Sequence, residues 1–102
     1  MSKVHFFCRL VPPRPDFMVT MTDTERGLMR QHVGYWSGKI WTGEALLFGP
    51  VADPNAGYGI GVIRVDDLTA MHALRDADPV MQAGIGFRYE ILPMPQVITP
   101  QG

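Results

Sequence analysis

The sequence predicts an α+β domain whose elements run strand, helix, strand, strand, helix, strand. Three observations carry that expectation. Four segments alternate in character with a period of two, and two others carry apolar residues at spacings of three and four. Clusters of proline, glycine and aspartate separate them.

Residues 3–11 (KVHFFCRLV) read as the first strand, with Val4, Phe6, Cys8 and Leu10 on one side and His5, Phe7, Arg9 and Val11 on the other. Both sides are partly apolar, as suits a sheet covered on both faces. Pro12, Pro13 and Pro15 end it, because proline removes the ladder donor and restricts the residue before it. Thr22 followed three residues later by Glu25 is a capping box, and Asp23 adds negative charge to the first turn. The helix it opens runs to about Trp41 and carries Leu28, Met29, His32, Val33, Trp36 and Ile40 as one apolar stripe. Gly27, Gly34 and Gly38 weaken that helix. Two of them lie near the stripe, which points to close packing on the sheet.

Gly43 ends the helix. Residues 44–49 (EALLFG) form the second strand, closed by Pro50, and turn residues at Asp53-Pro54-Asn55 and Gly57 follow. Residues 58–65 (YGIGVIRV) form the third strand, in which Gly59 and Gly61 leave room for a large side chain or a ligand. Asp66 or Asp67 caps a second, shorter helix bearing Leu68, Met71 and Leu74. Residues 85–92 (IGFRYEIL) alternate Ile85, Phe87, Tyr89 and Ile91 against Gly86, Arg88 and Glu90 as the fourth strand. From Pro93 the chain is an extended, proline-rich arm. This order is the ferredoxin-like split βαβ arrangement, a four-stranded antiparallel sheet with both helices on one face. The other face is also rich in apolar residues and needs a partner, for which a second copy is the natural choice.

Composition bounds the function. With 46% hydrophobic residues, 102 residues are enough for one cored domain. A net charge of −1 provides no basic field for nucleic acid. No apolar run approaches the ~20 residues of a membrane span. The single Cys8 has no disulfide partner and reads as a small core residue, fitting a reducing, cytoplasmic setting. The histidines at 5, 32 and 72 lack metal-ligand spacing, and the glycines at 57, 59 and 61 open no helix, so neither zinc nor a dinucleotide cofactor is expected.

His32 is the candidate for chemistry. It lies on the apolar stripe, four residues from both Leu28 and Trp36, where it is either a packed neutral histidine or a general acid–base. Imidazole suits the second role because its ordinary pKa of about 6.5 lets both forms exist near neutrality. Such a histidine needs an orienting carboxylate. Asp78 in the run DADP is the candidate, either as an N-cap with Pro79 at the first helical position or as the partner of His32. One carboxylate can do both, since a capping aspartate keeps an oxygen free. Asp76 in the same run points to solvent. His5 and His72 read as surface or packing residues. Arg9, Arg88 and Tyr89 either line a pocket for an acidic or phenolic molecule or belong to a dimer surface. Trp36, Phe48 and Phe87 suit a cyclic or aromatic ligand.

Four stretches together resemble the YCII-related (YciI-like) family of small ferredoxin-like proteins: RQHVGYW, LLFGP, DLTAMHALRDADPVMQAG and FRYEILP, spanning residues 3–95. The resemblance implies a dimeric α+β barrel with a pocket beside a histidine–aspartate pair, matched here by His32 and Asp78. It also implies chemistry of the kind done by a dehydrochlorinase acting on a chlorinated hydroxyquinol, or by the lactone isomerases and monooxygenases of neighbouring barrel families. The proline-rich stretch from Pro12 to Thr22 and the tail depart from that pattern. The expectation is therefore a cofactor-independent enzyme of lyase, dehydrochlorinase or isomerase type, with His32 and Asp78 moving a proton and Arg9, Trp36, Phe48 and Arg88 about the substrate. The alternative is a non-catalytic dimeric ligand-binding or accessory module, in which the pair only ties the helix to the DADP turn.

Overall fold

The computed structural model describes residues 2–100. Strands β1 (Val4–Val11), β2 (Ala45–Val51), β3 (Tyr58–Val65) and β4 (Arg88–Met94) form a four-stranded sheet in the order β2-β3-β1-β4, antiparallel throughout. The helices are α1 (Phe17–Thr20), α2 (Asp23–Thr42), α3 (Leu68–Ala77) and α4 (Pro79–Gln82). The long helix and the α3–α4 pair cover one face of the sheet, so the ferredoxin-like arrangement expected from the sequence is present.

Strand alternation decides which residues meet the helices. Phe6, Cys8 and Leu10 of β1 and Gly61, Ile63 and Val65 of β3 are buried on the covered face. Register builds rows across that face. Ala45, Ile63 and Phe6 make one, Phe48, Gly61, Cys8 and Ile91 the next, and Pro50, Gly59, Leu10 and Tyr89 a third. In the last two rows β3 contributes glycine, which leaves a trough in the sheet beneath α2.

Several local expectations shift. The capping box is formed, with Thr22 accepting from the Glu25 amide at 3.1 Å and Glu25 accepting from the Thr22 amide at 2.9 Å. The buried stripe of α2 is narrower than its spacing suggested. His32 and Trp36 are buried, while Val33 and Ile40 are 48% and 40% exposed. Gly34 and Gly38 do not pack on the sheet: nothing lies within 4 Å of where their Cβ atoms would be. Asp67 rather than Asp66 caps α3, accepting from the Ala70 amide at 2.8 Å.

The second strand passes through Pro50 to Val51, and the fourth begins at Arg88 and passes through Pro93. Both are edge strands, where a missing amide faces no neighbour and proline is tolerated. The fourth starts three residues late because Gly84 and Gly86 take φ of +63° and +108°, outside the extended region. The proline-rich stretch contains a feature that periodicity could not show, the single turn α1. It drives Phe17 into the core edge-on to Phe87, with ring centroids 5.1 Å apart.

Candidate functional site

The candidate site forms where α2, α4 and β4 meet over the glycine trough. Asp78 is at its centre and wholly buried. It ends α3 and caps α4, with Oδ1 accepting from the Val80 amide at 3.0 Å and Pro79 at the first helical position. Its other oxygen collects three donors. Asp78 Oδ2 lies 2.8 Å from His32 Nδ1, 2.8 Å from Trp36 Nε1 and 2.5 Å from the Tyr89 hydroxyl. Trp36 Nε1 also lies 3.1 Å from the Tyr89 oxygen, which closes the network. One helical turn separates His32 from Trp36, and the inward phase of β4 brings Tyr89 up from below.

This environment fixes protonation. Burial opposes the charged carboxylate most strongly, but the bond and charge of His32, with the donors from Tyr89 and Trp36, outweigh it. The Asp78 carboxyl accordingly lies below its ordinary range. Burial and the charge of Asp78 push the Tyr89 phenol far above its usual value, so it remains a donor. An ionised Asp78 has only acceptors to offer, so the proton between the pair belongs to His32 Nδ1. In neutral His32 the lone pair then sits on Nε2, and among the described residues Nε2 makes no hydrogen bond.

A cavity of about 240 Å³ lies over the trough, bordered by His32. Its floor is Gly59 and Gly61, and its walls are Trp36 from α2, Phe48 and Tyr89 from the sheet and Phe87 just before β4, with Met18, Met21 and Met29 also bordering it. Nearly all of this lining is apolar. Cys8 borders it too, but burial pushes its thiol up to about 12, so it is not a nucleophilic thiolate near neutrality.

The structure thus brings together His32, Asp78, Trp36 and Phe48. It does not bring Arg9 or Arg88 to them. Both lie on the uncovered face of the sheet, where Arg9 Nε is 3.6 Å from Glu90 and its guanidinium stacks 4.4 Å from the Tyr58 ring, and Arg88 bonds Glu90 at 2.9 Å. The alternation of β4 separates Arg88 from Tyr89, so of that trio only Tyr89 reaches the cavity. Its bond to Asp78 was not foreseen; its place in the inward series with Phe87 and Ile91 was the available signal. Among the described residues, no three His, Cys, Asp or Glu side chains converge as a metal site, and no helix is long and apolar enough to cross a membrane.

A family model described as the YCII-related domain matches residues 5–95. The chain belongs to the YCII-related family. No curated protein matches it. The match runs from the second residue of β1 through the end of β4 and takes in both members of the His32–Asp78 pair.

Proposed function

We propose that this YCII-related chain is a small cofactor-independent enzyme in which His32 transfers a proton to and from a small cyclic or aromatic molecule. One observation carries the reading: the 2.8 Å His32–Asp78 pair is sealed on its carboxylate side and borders a ligand-sized apolar cavity on its imidazole side. Nε2 takes a proton from the substrate, and the imidazolium that forms is stabilised by the Asp78 carboxylate, which stays ionised. The electron pair left behind either forms a double bond and expels a leaving group, which is elimination, or accepts the proton back at another atom, which is isomerisation. Trp36 and Phe48 hold the ring. Arg9 and Arg88 face away and have no part in it.

The same reading includes a second copy of the chain on the uncovered face and a cytoplasmic setting for a buried free thiol. Leu47, Val62, Phe7 and Leu92 make an apolar row across all four strands of that face. The rival reading is a ligand-binding module, in which the pair is a structural tie. His32→Ala and Asp78→Ala should be compared with wild type for thermal stability and for turnover of a panel of lactones and haloaromatics. Turnover by wild type that His32→Ala abolishes while still folded is the expected result. Destabilised variants with no turnover by any protein would leave the module reading.

A further inference from the structure

The mouth of the cavity holds a feature that proton transfer does not use. The α1 turn is fixed on both sides. Phe17 is buried against Phe87, and Arg14 grips Glu25 through bonds of 2.9 and 2.7 Å and the Thr20 carbonyl at 2.9 Å. Between these anchors Met18 is 46% exposed. It borders the cavity on one side and, on the other, a groove of about 610 Å³ between α1 and the loop after β2. Its Cγ rests over Gly57, where a Cβ would lie only 2.9 Å away. Pro50 is the other residue shared by the two spaces, and its ring is rigid. Met18 is unbranched with three rotatable bonds, so it is the part of the partition able to swing aside.

We infer that the outer groove is a second subsite for the same ligand and that Met18 sets the length of molecule the site accepts. This rests on the reading of the inner cavity as a small-molecule site. Short ligands end against Met18, whereas longer ones displace it and lay a tail between Val19 and Pro54. No Lys or Arg borders either space, and the groove carries Asp16 and Asp53. The tail is therefore uncharged or cationic, not anionic.

The test titrates 4-alkylphenols, from methyl to octyl, against the full chain and follows Trp36 fluorescence. A Trp41→Phe background removes the second tryptophan, which is 91% exposed. In wild type, affinity should climb with chain length to a limit. Met18→Ala should move the limit to longer chains and tighten the longest members about tenfold, the value of roughly two further buried methylenes, while the methyl member stays unchanged. Met18→Phe should move it the other way. Gly57→Ala, which displaces Met18 without altering it, should also shift the limit, with thermal melts confirming that each variant is folded. Binding of short members with one common limit in all variants would overturn the inference and leave the inner site standing. Failure of every member to bind wild type would overturn both.

Discussion

The two faces of the sheet are built from alternate residues of the same strands, yet they treat polar groups in opposite ways. On the covered face Asp78 is fully buried and its carboxylate accepts four hydrogen bonds, three of them on one oxygen. On the uncovered face the Arg9 side chain is 41% exposed, the Glu90 carboxylate is 3.6 Å away, and the buried Arg9 Nε has no hydrogen-bond partner among the described residues. Burial makes the first network strong and costly to break, while the half-exposed Arg9–Glu90 contact, long and without a hydrogen bond at Nε, adds little. A buried charge with all its donors in place is also the one able to hold an imidazole in a single tautomer. The proposed proton transfer is therefore assigned to the covered face, and the proposed second copy to the other.

The sharpest way to break this contrast is Asp78→Ala. It leaves the His32, Trp36 and Tyr89 donors facing an apolar gap and uncaps α4, so chemical denaturation should show a loss of about 3–5 kcal/mol. Next is Tyr89→Phe, which removes one donor from Oδ2. A hydrogen bond to a charged group predicts a loss of about 1.5–3 kcal/mol, and the Asp78 carboxyl should titrate at a higher pH by carbon-detected NMR. Acid should act in the same direction. The folded Asp78 carboxyl lies below its unfolded value of about 3.9, so its stabilisation is complete above that pH and is lost as pH falls through the folded value. Asp78→Asn should flatten the acid limb of a stability profile. Glu25 loses its contribution between 4.5 and about 2, since the hydrogen bonds from Arg14 hold it down; its side chain is only 14% exposed, so added salt should weaken its share without erasing it.

The smallest energetic effects belong to the uncovered face. Leu92→Glu, at a position 60% exposed, should change the stability of the isolated chain by no more than about 0.5 kcal/mol. Light scattering should nonetheless show it halving the mass in solution if a second copy covers that face; an unchanged mass would overturn the second copy on that face.

Much of this contrast was legible in the residues. Period-two alternation gave the strands their faces, the Thr22–Glu25 box gave the start of α2, and the double bonding capacity of a carboxylate made Asp78 both cap and partner. What escaped depended on neighbours distant in sequence. Whether Pro50 and Pro93 end a strand depends on whether that strand is an edge, which no local window contains. The phase of α2 was misread at Val33 and Ile40 because helical spacing locates a stripe only to within a residue either side. The close packing on the sheet expected of two α2 glycines fails for the same reason: no Cβ at Gly27, Gly34 or Gly38 would meet a strand. The α1 turn is too short to have a period, and Tyr89 met Asp78 only once the register of β4 was set.

The double duty of Asp78 separates two kinds of information in sequences of this type. Because the residue caps α4 and anchors Trp36 and Tyr89, a relative without the proposed reaction would still need it in order to fold. Its presence therefore attests to architecture. His32 supplies only one of the four donors, and its loss leaves the cap in place. A chain that keeps the aspartate and replaces the histidine would be an heir to the scaffold alone, so the histidine is the letter to read when asking whether the proposed proton transfer is shared.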